Sequence, residues 1–306
     1  MNKYIVTTTI NAPTEALKAF SELPGWKLIV VGDKKTPEKS YQDINCEYFS
    51  SVEQEQRFPQ LSELVGWNCV QRRNLGFLKA LEYGAQIVAT VDDDNVPLEN
   101  WGRNLIVGET LELKSYTSEK VFDPLSVTNY PHLWHRGFPI QRLTSRNSEE
   151  GMEKITVDVE AAFWNGDPDI DAICRMEHAP ACSFDPCRFP FTSPQFSPFN
   201  SQNTFLTRKA LKNYFMFPGV GRMDDIWGSY FLESLGYRVA YTEATVRQDR
   251  NIHDLTTDFN GEIIGYQKTE KLLDALLDSP LRIAEFVGER SYSAFVKYRE
   301  IAESFE

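Results

Sequence analysis

Alternating strand and helix signals over the first hundred residues constrain this chain more than any other feature. "KYIVTTTI" reads as a first strand, "APTEALKAFSEL" as a helix with Pro13 in its first turn, and "GWKLIVVGD" as a second strand ending at Gly32-Asp33. A loop-rich stretch to about residue 62 is followed by a helix near 68–83, closed by Gly84, and by the strand "AQIVATV". Such alternation predicts βαβ units and a largely parallel sheet. The last of these strands runs from Ile87–Val91 straight into Asp92, Asp93 and Asp94. Adjacent like charges disfavour one another's ionisation, so the loop is either well solvated or holds something positive.

Composition narrows the partners. The 306-residue chain can bury a core as one large α/β domain or two small ones. A net charge of -12 argues against a nucleic-acid backbone, which wants a basic face. No apolar run is long enough for a transmembrane segment, and the N-terminal stretch turns polar after Val6, without a signal-peptide core. Five cysteines without a CxxC pair fit a reduced, cytoplasmic protein, with Cys182 and Cys187 read as free thiols. Residues 110–200 are less legible. The proline-rich "APACSFDPCRFPFTSPQFSPFN" predicts an extended wall, after which "FLTRKAL" looks helical, "DIWGSYFLESLG" is an amphipathic helix and "YRVAYTEATV" a strand. The tail is helical.

Several residues stand where chemistry can be done. Val70, Phe77, Leu78 and Leu81 recur at helical spacing and should face the sheet, and Asn74 falls on the same stripe. A buried amide needs partners, so Asn74 is expected to bond the aspartate loop while Arg72 or Arg73 meets a phosphate; the alternative is an edge Asn beside two solvated arginines. Thr7, Thr8 and Thr9 end the first strand and Asp33 the second, and open α/β sheets bind ligands beyond the carboxyl ends of their strands. Asp224 and Asp225 open a helix, where one Asp can serve simply as a cap. Gly219 and Gly221 before them allow a close backbone approach. His132 and His135 in "HLWH" read as structural.

In order, the apolar strand into "DDD", "WNGDPDIDAICR", "PFNSQNTFLTRKAL" and "GRMDDIWGSYFLESLGYRVAYTEATVRQDRNIHDL" resemble the STELLO-like glycosyltransferase family, over most of residues 1–270. More distantly they resemble the reversibly glycosylated polypeptides, which include UDP-arabinopyranose mutases. The resemblance implies a GT-A-like, Rossmann-type mixed α/β sheet flanked by helices, with a catalytic domain over 1–270 and a helical C-terminal extension over 271–306. It implies a metal-dependent glycosyltransferase with a nucleotide-diphosphate sugar donor, a UDP-sugar above others, and Mn²⁺ or Mg²⁺ as cofactor. Carboxylate oxygens suit such hard ions. Asp94 is then the metal ligand, Asp92 meets the ribose or the metal, Asp93 is a further cofactor-binding candidate unless strand alternation turns it to the other face, and His253 completes the metal shell. Thr8, Thr9 and Asp33 would hold base and ribose; Arg72, Arg73, Arg247 and Arg250 are candidates for the diphosphate. Asp224 and Asp225 would be catalytic, and Asp169, Asn200, Gln202 and Asn203 would line the sugar side with them. Plant STELLO proteins are membrane-anchored, whereas no anchor is expected from this sequence. A mutase-like protein and a noncatalytic nucleotide-sugar binder are the alternative functions.

Overall fold

A computed structural model of the chain describes residues 2–249 and 254–305. His253 and Arg250 lie outside the described residues. The first half builds β1 (Lys3–Thr9), α1 (Glu15–Ser21), β2 (Lys27–Gly32), β3 (Glu47–Phe49), α2 (Ser51–Arg57), α3 (Pro59–Val65), α4 (Arg73–Glu82) and β4 (Ile87–Val91). β1 pairs in parallel with β2 and β4, and β2 with β3. The chain continues through β5 (Asn95–Pro97), β6 (Thr110–Thr117), β7 (Glu149–Thr156), β8 (Val159–Gly166), α5 (Ala172–His178), β9 (Phe191–Thr192), β10 (Asn203–Thr207) and α6 (Arg208–Leu211). It closes with α7 (Asp224–Ser234), β11 (Val239–Gln248), α8 (Leu255–Asp278), α9 (Ala284–Val287) and α10 (Glu289–Ser304).

One mixed sheet of 11 strands results, in the order β3-β2-β1-β4-β10-β8-β11-β9-β6-β7, with β5 paired to β11. The expected α/β architecture, a mixed sheet flanked by helices with a helical C-terminal region, is what the chain forms. Local chemistry sets several boundaries. Thr14 caps α1 by accepting from the Leu17 N–H, and Gly84, at φ +73°, follows the end of α4. All five residues of β4 are buried, as a strand covered on both faces requires. Phe77, Leu78 and Leu81 of α4 are buried, at about 1.5–3 kcal/mol each, but their stripe, with the Phe77 ring against Tyr214 and Asn74 on the Met216 backbone, lies on the other side of the helix from the sheet-facing Gly76. Gly76 brings α4 so close that a Cβ there would overlap the side chains of Val6 and Val31.

Some expectations need correcting. Val70 does not face the sheet: it sits in a 3₁₀ turn before α4 and is 40% exposed. "FLTRKAL" starts as strand, because β10 is held antiparallel between β4 and β8, and only Arg208–Leu211 turns helical. The boundary at 270/271 falls inside the continuous helix α8, and one apolar core runs from Tyr4 to Ala302, so the C-terminal helices belong to the same packed body.

Register positions the site. Asn203 of β10 pairs with Val91 of β4, which puts residues 200–202 beside the aspartates. Gln248 of β11 pairs with both Gly166 of β8 and Asn95 of β5. The carboxyl ends of β4, β8 and β11 therefore meet the start of β10 along one edge of the sheet.

Candidate active site

The three aspartates part company. Asp92 accepts from Arg73 Nη2 at 2.7 Å; Arg73 is buried, whereas the Asp92 side chain is 37% exposed. Asp93 turns back toward β1, where its Oδ2 accepts from Thr9 Oγ1 and from Asn11 Nδ2. Its carbonyl accepts from the Thr14 hydroxyl. Its carboxylate, a candidate for the nucleotide, is thus engaged in tying the loop to β1. Asp94 faces β11: Gln248 Nε2 donates to its Oδ2 at 3.3 Å. Gln248 in turn receives a hydrogen bond from Gln202 Nε2, which also donates to Asn95 Oδ1 at 2.9 Å.

A cavity of about 260 Å³ opens beside the loop, lined by Thr8, Thr9, Asn11, Asp33, Asn68 and Asp93 among others. Asp33 shapes its floor, with Oδ2 accepting from the backbone N–H of Asn68 at 2.7 Å and Oδ1 from that of Lys34 at 2.6 Å. Arg72 touches the cavity but its guanidinium is engaged elsewhere. It donates to Gln54 Oε1, to Ser62 Oγ and to the Gly66 carbonyl, and lies 3.6 Å from the centre of the Trp67 ring. Asn74 does not bond the aspartate loop. It pairs with the Met216 backbone, donating to its carbonyl at 2.8 Å and accepting from its N–H at 3.0 Å. The stripe position that hid Asn74 in the sequence faces that loop, and Arg73 makes the contact to the aspartates instead. Arg247 alternates outward on β11 and pairs with Asp249 at 61% exposure.

Across the edge lies a buried cluster of charge. Arg136 Nη1 and Nη2 donate to Asp225 Oδ1 and Oδ2 at 2.9 and 3.0 Å, while Nε and Nη2 donate to Asp169 Oδ2 at 2.9 and 2.8 Å. Asn200 Nδ2 also donates to Asp169 Oδ2 at 3.0 Å. Asp225 Oδ2 further accepts from the Ser201 N–H and hydroxyl. Arg222 reaches Asp169 Oδ1 at 3.2 Å on one side and Asp258 and Glu262 of α8 on the other. Gly221, at φ +60°, permits this approach, since a Cβ there would overlap the Gly261 carbonyl of α8. The close backbone contact predicted for this glycine is therefore with the protein's own helix.

Burial alone would push both members of the acidic pair up. For Asp225 the Arg136 charge and hydrogen bonds overcome it and hold the carboxyl below the ordinary range. For Asp224 burial, reinforced by the Asp225 charge, raises the carboxyl above that range, and Gln71 Nε2 donates to its Oδ2 at 2.7 Å. Neither aspartate acts as a side-chain cap of α7. Asn203 is withdrawn from the edge: its amide donates to the Phe163 carbonyl and Thr245 Oγ1, each at 2.9 Å, and its Oδ1 accepts from Trp101 Nε1 at 3.0 Å.

The two clusters are continuous. Arg73 joins Asp92 to the carbonyl and hydroxyl of Ser201, and Ser201 joins Arg73 to Asp225. Sequence reasoning missed Arg136, Arg222, Gln71 and Gln248. Arg222 stood in the "GRMDD" motif already under suspicion, and Gln248 in "RQDRNIHDL"; Arg136, in a loop between distant elements, gave no local signal. Five free cysteines and a buried His135, whose Nδ1 lies 2.7 Å from the Arg136 carbonyl, agree with the structural reading of those residues.

Asp92 and Asp94 supply the hard oxygen donors that Mg²⁺ or Mn²⁺ prefers, and these ions usually take few protein ligands besides substrate phosphates. Among the described residues no group of three or more His, Cys, Asp or Glu is placed to hold a metal. No helix among them is long and apolar enough to cross a membrane.

No protein-family model matches the chain. Two curated proteins of Arabidopsis thaliana do. The chain is 26% identical over 277 residues to "Probable glycosyltransferase STELLO2" and 25% identical over 276 residues to "Probable glycosyltransferase STELLO1", in both cases over 81% of its length. It spans 36% of the length of each. Among solved structures, a mannosyltransferase from Pyrobaculum calidifontis in complex with GDP-Man and Mn²⁺ superposes on 99% of this chain and 86% of its own. Its identity is 12% and its TM-score 0.36, too loose a superposition to transfer any residue. Over 81% of its length the chain is thus similar in sequence to the two STELLO glycosyltransferases.

Proposed function

We propose that this chain is a glycosyltransferase that uses a nucleotide-diphosphate sugar, a UDP-sugar above others, together with Mn²⁺ or Mg²⁺. The observation that carries the reading is the hydrogen-bonded path Asp92–Arg73–Ser201–Asp225, which fixes a half-exposed carboxylate loop against a buried acidic pair along the strand ends where α/β sheets bind ligands. In this reading Thr8, Thr9 and Asp33 hold base and ribose in the cavity beside the loop. Asp94 and Asp92, with His253, hold the cation. A divalent ion there would offset the charge that grows on the departing diphosphate. Arg73 orients Asp92, and Asp224 faces the sugar. Asn203, with its amide spent inside the sheet, supports the edge without touching sugar.

Calorimetry of UDP binding with and without Mn²⁺ tests the reading. Binding that needs the metal and is lost in Asp94→Ala supports it; metal-independent binding, or none in the unaltered protein, counts against it. Chromatography of products from a panel of UDP-sugars then separates transfer from ring isomerisation.

A further inference from the structure

Two adjacent buried carboxyls at the start of α7 are held in very different ways. Asp225 receives both terminal nitrogens of Arg136, plus the N–H and hydroxyl of Ser201. Asp224 receives one side-chain donor, Gln71 Nε2, from the turn that precedes α4. Gln71 is half-buried and next to Val70, which lines the nucleotide-side cavity. Arg136 is itself fixed on its far side by Asp169, which Asn200 and Arg222 hold in turn. The hydroxyl of Tyr214, wholly buried and without a hydrogen-bond partner among the described residues, lies close enough to the pair for both carboxylates to oppose its ionisation.

We propose that Arg136 is a positioning residue that divides the acidic pair: it pins Asp225 as a permanently ionised strut, and so leaves Asp224 as the carboxyl presented to sugar hydroxyls. The assignment rests on the glycosyltransferase reading for the identity of the ligand, but the division of charge does not. Two carboxyls this close share protons unless something separates them. The cation facing them from the 131–139 loop is Arg136, with Arg73 and Arg222 one residue further out beyond Ser201 and Asp169. Of these three cations, Arg136 is the one that bonds a member of the pair directly. Gln71, on the opposite side, fixes the rotamer of the other. A carboxylate with spare acceptor positions can bond two neighbouring hydroxyls, whereas Asp225, already taking five hydrogen bonds, cannot.

The experiment is a pH titration of the aspartate carboxyl carbons by NMR in the intact protein, with Asp224→Asn to assign the resonance. In the unaltered protein Asp224 should titrate above the ordinary aspartate range and Asp225 below it. Arg136→Met removes the charge and should raise the Asp224 midpoint by about one unit or more, while Arg136→Lys keeps the charge and should restore most of it. A purely structural Arg136 would lower stability and leave that midpoint unmoved, which overturns the proposal. So would an Asp225 that titrates in the same range as Asp224. Should Arg136→Met fail to fold, Gln71→Ala decides at a half-buried position. Loss of its donor must raise the Asp224 midpoint and leave Asp225 where it is, and an unmoved midpoint sinks the idea. UDP-sugar turnover is the separate arm. Its acidic limb should follow the Asp224 midpoint through the variants. Absent turnover with the titration as described would overturn the sugar-facing role and the functional reading, while the division of charge would stand.

Discussion

The two halves of the candidate site are built on opposite principles. On the nucleotide side Asp92, Asp93 and Asp94 are partly exposed, lie in one continuous loop and lean on β1 and β11. On the acidic side Asp169, Asp224 and Asp225 come from segments up to 56 residues apart, are at most 5% exposed, and depend on Arg136 and Arg222. Substitutions on the first side should therefore cost affinity and leave the fold intact. On the second they should cost stability first, because a buried charge left without its partner keeps its full desolvation penalty.

The largest effect is expected from Asp169→Ala. It strips Arg136 and Arg222 of a shared carboxylate and should destabilise the protein by about 3–5 kcal/mol, read as a shift in the urea midpoint. A loss under about 1 kcal/mol would mean that the cluster is solvated and the contrast between the halves is false. A smaller effect with a definite pH signature is expected at Glu160 of β8. Its carboxylate accepts the N–H groups of Ile106 and Val107, yet burial pushes it up to about 7. With a folded value above the unfolded one, its favourable contribution is complete below about pH 4.5 and fades as pH rises through about 7. Glu160→Gln should thus be more stable than the unaltered protein by about 2–3 kcal/mol above pH 8 and lose that advantage near pH 4. A difference that does not change with pH would show that Glu160 titrates in the folded protein as it does in the unfolded chain.

What could be read from the sequence divides along the same line. β1, β2, α4 and β4 announce themselves because their apolar residues repeat at helical or strand spacing within a short window, and the aspartates follow directly. The acidic side assembles by register: Asn203 opposite Val91 and Gln248 opposite Gly166 bring together segments that no spacing rule connects. Arg136 is invisible for that reason, since one arginine between elements looks like any solvated arginine. Asn203 and Asn74 mislead for a related one. An amide signals a need for hydrogen bonds, but a backbone carbonyl or a buried Trp101 satisfies it as well as a sugar or a carboxylate does. Phe205 to Thr207 show sheet register overriding a helix-like string.

The smallest and most discriminating effects are expected within the aspartate loop itself. Asp93 Oδ2 accepts from Thr9 and Asn11, and the carbonyl oxygen of an asparagine can accept the same two hydrogen bonds. Asp93→Asn should therefore change stability by less than about 1 kcal/mol and leave Mn²⁺-dependent UDP affinity within about twofold. Asp94→Asn keeps the side chain's shape but removes the negative charge, and should weaken that affinity by about tenfold to a hundredfold with the melting temperature unchanged. Run side by side in one calorimeter, the pair isolates charge from shape at neighbouring positions. Equal losses would mean that Asp93 also serves the cation through the loop it anchors. Equal tolerance would place the cation elsewhere, and the nucleotide side would then lose its claim to be the half of the site that trades in affinity.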